Sequence, residues 1–341
     1  MSYYASTLPV PAPADKRFEY LSDVSAEDRT WDDHRVFADT MQAVVEAAGY
    51  QRYSERVRKC AQALFFEMQA ATATGEISYK LTGADFCHWR HCPVCQWRRS
   101  LRDKAIFLSY LPVIEEQYPK ARWLLLTLTI RNCHVSDLRE TIRGMNQAWK
   151  RLLLRPEFSI VDGWIRSVEV TRSEDGSAHP HYHCLLMVPP SYFSGREYVK
   201  TERWATVWGE CLGVDYTPVC DVRIVKPKLV KDEATGQLVP SKGALVAAAA
   251  EVLKYATKGQ DLIDGGPDWL GEYIEQVRSL KFLTSGGALK GIFKRTKPDT
   301  DDDLIRPGGE EPEPESVDLG KVRFDWMKPV RRYGRKRKHG E

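Results

Sequence analysis

From about residue 33 to residue 70 apolar side chains recur at helical spacing, with Val44, Val45, Ala48, Val57, Ala61, Leu64 and Phe65 among them. That pattern predicts a helical stretch, and a further helix leads from the basic segment 96–104 to about Tyr118. Residues 123–130, Trp-Leu-Leu-Leu-Thr-Leu-Thr-Ile, contain no breaker and predict a strand. Ser136 reads as the N-cap of a helix that runs to Leu154 and is closed by Pro156. Two strands, 164–171 and 181–188, follow as an antiparallel hairpin around a turn at 173–178. Beyond them the pattern gives a helix over 201–212, a strand over 219–225, a loop over 226–241 and a helix over 244–258. No internal repeat is evident.

Helices first and mixed elements afterwards predict an α+β chain in four parts. Residues 1–30, with Pro9, Pro11 and Pro13, form a flexible lead-in; 31–115 form a small helical module; 116–295 form an α+β domain; 296–341 form an acidic linker and basic tail. At roughly 150 residues per domain, 341 residues suit about two domains. The longest apolar runs fall far short of the ~20 residues of a membrane span. No secretory leader is visible at the N-terminus. The expectation is a soluble, cytoplasmic protein with no membrane partner.

Charge changes the picture only locally. The balance of 50 basic against 47 acidic residues gives a net charge of +3, but it averages over blocks. Residues 299–318 hold nine acids and one base, and 331–338 hold six bases and no acid. The acidic stretch reads as solvated and mobile. The tail, with Arg335, Lys336 and Arg337, suits either solubility or contact with a phosphate backbone.

Eight cysteines in a reducing compartment do not predict a disulfide framework. Cys87, Cys92 and Cys95 lie within nine residues, and thiolates two residues apart form half of a tetrahedral zinc site. Cys60, His88 and His91 are candidates for the fourth ligand. Cys60 is preferred because it would tie the preceding helix to the cluster. The competing readings are unrelated thiols and a redox dithiol. Arg90, Arg98, Arg99 and Arg102, beside Trp89 and Trp97, suit a structural zinc knuckle that faces nucleic acid.

His179, His181 and His183 alternate along a strand, so their imidazoles share a face while Tyr182, Cys184 and Leu186 take the other. Glu169 on the paired strand is the natural carboxylate to join them. Imidazole plus carboxylate with open positions suits Mn²⁺ or Mg²⁺ poised on a phosphate oxygen. On the helix over 244–258, Glu251, Tyr255 and Lys258 fall on one face. Taken alone, such a stripe is an ordinary solvated surface. Beside a metal, a phenol is a nucleophile for phosphorus and an amine stabilises the oxyanion.

Together these segments resemble the HUH endonucleases, most closely the single-tyrosine rolling-circle plasmid replication initiators. Leu-Leu-Leu-Thr-Leu-Thr-Ile (124–130) is similar to their first motif, and His-Pro-His-Tyr-His-Cys-Leu-Leu (179–186) to their metal motif, with His181 and His183 as the ligand pair. Glu-Val-Leu-Lys-Tyr-Ala-Thr-Lys (251–258) is similar to their third motif, and 86–100 to the cysteine segment of this branch. The resemblance spans about residues 55–260. It implies a central five-stranded antiparallel sheet with flanking helices. It also implies that Tyr255 attacks a scissile phosphodiester of single-stranded or extruded plasmid origin DNA, giving a 5′-phosphotyrosine and a free 3′-OH. Glu251 would then activate water to end replication by hydrolysis, unless strand transfer ends it. Lys258 would stabilise the oxyanion, Glu169 or its rival His179 would complete the metal site, and a host helicase and polymerase would act on the opened origin.

Four other readings compete. The His-x-His-x-His run also resembles the histidine-triad nucleotide hydrolases, where His181 would be the nucleophile. A zinc-knuckle DNA-binding protein without catalysis would explain the cysteines and leave the histidine face unused. Within the HUH class, a single-tyrosine transposase or a relaxase is the remaining pair.

Overall fold

The computed structural model describes residues 12–194, 197–226, 229–231, 238–240, 243–254, 259–294, 297–306 and 316–337. The strands in chain order are β1 (Phe18–Tyr20), β2 (Ala63–Ala71), β3 (Ile77–Ala84), β4 (Arg122–Thr129), β5 (Gly163–Arg172) and β6 (Ala178–Val188). They continue as β7 (Cys220–Ile224), β8 (Leu229–Lys231), β9 (Leu238–Pro240), β10 (Leu283–Gly287), β11 (Ser316–Met327) and β12 (Arg332–Lys336). The helices are α1 (Leu21–Val24), α2 (Arg29–Ala47), α3 (Gln51–Lys59), α4 (Pro93–Gln117), α5 (Leu138–Leu152) and α6 (Thr201–Leu212). After them come α7 (Gly243–Val252), α8 (Gly259–Asp264), α9 (Gly266–Val277) and α10 (Asp301–Ile305). The fold is α+β, and the chain divides into two compact units.

The first unit combines residues 1–102, 259–271 and 297–341. Its antiparallel sheet has the order β1-β12-β11-β2-β3. This sheet departs from two sequence expectations. The helical pattern read through residue 70 stops at Lys59, because Leu64 and Phe66 are buried while Phe65 is 40% exposed, a period of two. Residues 316–336, read as linker and tail, form two strands. Val322, Phe324 and Trp326 are buried alternately with exposed Lys321, Arg323 and Asp325, an alternation masked in the sequence by surrounding charge. These strands are tied to α2: the Trp326 indole N–H donates to Asp39 (2.9 Å), and the Tyr333 backbone N–H donates to Asp32 (2.8 Å). The acidic stretch is also ordered where it is described. Thr300 and Asp303 form a capping box on α10, and the rest, 307–315, lies outside the described residues.

The second unit holds residues 103–258 and 272–296. Its five-stranded antiparallel sheet, ordered β10-β5-β6-β4-β7, has the strand number and pairing that the resemblance implied. One face packs under α4 and α7, with Ile165, Leu185 and Met187 against Phe107, Leu111, Ala248 and Val252. On the other face Tyr182 and Trp164 meet Trp149 of α5, and Tyr182 meets Trp208 of α6. Ser136 is not the cap expected for α5. A short 3-10 turn over Val135–Asp137 precedes that helix, and the His134 side chain accepts the Ser136 N–H. The segment 226–241, read as loop, contains the small β8–β9 pair.

Candidate functional site

The β5–β6 hairpin sets the site by register. Glu169 lies directly opposite His181 and Ser167 opposite His183, so Glu169, His181 and His183 share one sheet face. Along that face the strands pass from apolar side chains beneath α4 and α7 to these three polar ones. The Glu169 Oε2 lies 2.7 Å from His183 Nε2 and 3.3 Å from His181 Nε2. Metal bonds of ~2.1 Å at right angles put neighbouring donors about 3 Å apart, so these separations suit one shared cation. The ligand atoms of the three residues all lie within 4.8 Å of one another. His181 is further held by its Nδ1, 3.2 Å from the His179 carbonyl, and His183 by its Nδ1, 3.4 Å from Thr127 Oγ1. Such outer hydrogen bonds fix the ring orientation that metal binding needs.

Helix α7 packs on β5 and β6 through Ala248, Ala249 and Val252, and its end delivers two more charges. Lys254 Nζ lies 3.1 Å from Glu169 Oε2 and 2.6 Å from Glu251 Oε1. Burial alone would raise the Glu169 pKa. Hydrogen bonds to His181 and His183 and the Lys254 charge outweigh it and hold the carboxyl well below its usual range. Burial would lower the Lys254 pKa, but the bond to Glu251 and the Glu169 carboxylate raise it instead.

Lys254 has a weak sequence signal, the i, i+3 spacing from Glu251, which is common on solvated helices. The helix ends at Val252, short of the expected 258, and Tyr255 and Lys258 lie outside the described residues. His179 stands outside the ligand set, its ring centroid 5.2 Å from that of His181.

The second cluster lies in the first unit. Cys60, at the end of α3, meets Cys87, Cys92 and Cys95, with the Cys60–Cys95 sulfurs 3.6 Å apart and the Cys87–Cys95 sulfurs 3.7 Å apart. A tetrahedral site with ~2.3 Å Zn–S bonds has sulfur edges of about 3.8 Å, so the cage fits zinc. Ala61 (φ +49°) and His88 (φ +52°) follow Cys60 and Cys87 in left-handed conformations, turning the chain sharply after each sulfur. The Cys87 N–H also donates to Cys60 Sγ at 3.4 Å. Hydrogen bonds from the other three cysteines lower the Cys87 pKa, while those contacts raise that of Cys60. Of the other candidate ligands, His88 pairs with Asp301 (2.7 Å) and His91 is buried outside the sulfur cage.

Several arginines beside the cysteines turn inward. Arg98 donates to the carbonyls of Leu304 (2.6 Å) and Ile305 (2.9 Å); Arg99 and Arg102 both pair with Asp299, at 2.5 and 2.7 Å. Arg335 pairs with Glu19, Arg90 is half-buried, and Lys336 and Arg337 are exposed. No helix among the described residues is long and apolar enough to cross a membrane.

A family model described as "Replication protein" matches residues 78–334. A "Protein rep" of Streptococcus pneumoniae is 33% identical over 274 residues, covering 79% of this chain and 80% of that protein. A "Protein rep" of Bacillus amyloliquefaciens is 35% identical over 263 residues, covering 73% of this chain and 75% of its own length. One from Lentilactobacillus hilgardii is 29% identical and covers 80% and 81%. No solved structure matches the chain.

Proposed function

The chain belongs to the replication-protein family of rolling-circle plasmid initiators, and from that premise we propose that it is a metal-dependent, site-specific DNA-nicking transesterase. The observation that carries this reading is the convergence of Glu169, His181 and His183 with Lys254 and Glu251, directly before Tyr255 in the chain.

Bound there, Mn²⁺ or Mg²⁺ would polarise the scissile phosphate. Glu169 Oε2, His181 Nε2 and His183 Nε2 would hold it on the sheet face. The Tyr255 oxygen attacks phosphorus and loses its proton; the bond to the 3′ oxygen breaks, and that oxygen leaves as a 3′-OH. The 5′ phosphate remains on Tyr255, and Lys258 stabilises the developing negative charge. Glu251 serves as the base for water in the closing hydrolysis, and strand transfer is the other exit. The zinc cage of Cys60, Cys87, Cys92 and Cys95 is structural. Lys336 and Arg337 supply phosphate contacts, whereas Arg98, Arg99, Arg102 and Arg335 are engaged within the protein. The partners are plasmid origin DNA in the cytoplasm and, at the exposed 3′-OH, a host polymerase and helicase.

The test is nicking of supercoiled DNA that carries this gene with its flanks. Wild type with Mn²⁺ should give open circles bearing covalent protein; chelator and Tyr255→Phe should abolish them. Glu251→Ala should still nick but accumulate the covalent species. Nicking that survives Tyr255→Phe overturns the mechanism.

A further inference from the structure

Where β4 ends, an open groove of about 500 Å³ lies beside the metal-ligand face, lined by Ile130, Arg131, Asn132, His179, Tyr216 and Val219 among others. Thr129, also in its wall, sits opposite His181 in the β4–β6 register, so the groove adjoins the ligand set directly. The Arg131 guanidinium stacks 4.2 Å from the centre of the Tyr216 ring, and the Tyr216 hydroxyl accepts the Arg131 backbone N–H at 2.9 Å. Arg131 is exposed, and no carboxylate pairs with it among the described residues. The Asn132 amide donates to Ser173 Oγ (2.8 Å) and Ser177 Oγ (2.9 Å), which turns its carbonyl oxygen away from those partners as a free acceptor. Val219 is 73% exposed, an apolar side chain at the rim of a polar site.

A planar cation fixed on an aromatic ring, an oriented amide and an uncovered apolar rim make a stacking platform with an anion contact. Resting on the nicking reading above, we propose that this groove holds the nucleotide next to the scissile phosphate in single-stranded DNA. Its base packs on the Arg131–Tyr216 pair and over Val219, Asn132 reads a base N–H, and Arg131 balances the adjoining phosphate. The neighbouring phosphodiester is thereby presented to Glu169, His181 and His183.

The full chain is titrated into fluorescein-labelled (dT)15 with chelator and with Mn²⁺, and bromodeoxyuridine 15-mers are photocrosslinked and mapped. Arg131→Ala and Tyr216→Ala are expected to weaken binding on the order of tenfold, and Tyr216→Phe, which keeps the ring, to lose less. Arg131→Ala should also flatten the slope of log affinity against log salt by about 0.7. Crosslinks should fall on Tyr216. Unchanged affinity in both alanine variants with crosslinks elsewhere overturns the proposal, as does competition by free dTMP with no effect of either variant on the 15-mer. A chain that binds through Tyr216 yet nicks nothing defeats the nicking reading and leaves the groove standing. A chain that nicks, with the oligonucleotide KM unmoved by Arg131→Ala, defeats the groove alone.

Discussion

Lys254 Nζ stands 3.1 Å from Oε2 of Glu169, the same oxygen that lies 2.7 Å from His183 Nε2. An ammonium and a divalent cation bound there would therefore compete for one carboxylate, which is itself only 3% exposed. Lys254→Met should tighten Mn²⁺ binding several-fold, because a like charge is removed from beside the site. Glu169→Gln should weaken it at least tenfold, because a neutral amide replaces the anionic ligand. Calorimetric titration of Mn²⁺ into the two variants checks both signs. Weaker binding in Lys254→Met would mean that the lysine organises the site and does not compete for it.

The cysteine cage makes a separate prediction. Cys60 stands 27 residues before Cys87 in sequence, yet the two share one cluster. Purified protein should hold one zinc per chain, and Cys60→Ser should lose most of it. Cobalt exchanged into wild type should give the intense thiolate charge-transfer bands of a four-sulfur site. Zinc retained fully in Cys60→Ser would assign the fourth position to another residue.

How legible these sites were depended on how local their signals are. Alternation alone put His181 and His183 on one face, and the hairpin made Glu169 their neighbour, because antiparallel register across a short turn is nearly fixed by sequence. Cys60 was readable as a partner because it is the one cysteine before the cluster and would tie the preceding helix to it. Lys254 was not readable: its position depends on where α7 ends against β5 and β6, a packing outcome. The inward roles of Arg98, Arg99 and Arg102 were hidden for the same reason, since Asp299 lies about two hundred residues away in sequence. The first-unit sheet was hidden because β11 and β12 pair with strands from the other end of the chain, and the short alternation of β11 is set among charged residues.

That long-range pairing has a measurable consequence. Tyr333 is fully buried, and its hydroxyl donates to the Ala61 carbonyl at 2.5 Å. Tyr333→Phe leaves that carbonyl without the bond and should cost about 1–2 kcal/mol in urea unfolding. A chain ending at residue 315 loses β11 and β12 outright and should fail to fold its first unit. That failure would show as lost zinc and lost protection from proteolysis over residues 18–84. Retention of both would make the two strands an appendage.

His34 contributes one part of the acid-side pH dependence, with a definite sign. Its ring stacks on Trp97 at 4.5 Å between centroids, and burial, with the Arg98 charge, lowers its pKa from 6.5 to about 4. Between those values the unfolded chain binds a proton that the folded chain refuses. Stability is therefore lost as pH falls from 6.5 to 4, and this residue adds nothing further below 4. The shift corresponds to at most about 3 kcal/mol, less whatever screening its partial exposure allows. His34→Phe keeps the stacked ring and removes the titration, so the variant should lose less stability than wild type across that window. Urea midpoints at pH 7, 5.5 and 4.5 decide it. Parallel losses in both proteins would assign the acid sensitivity to other groups and leave His34 a packing residue alone.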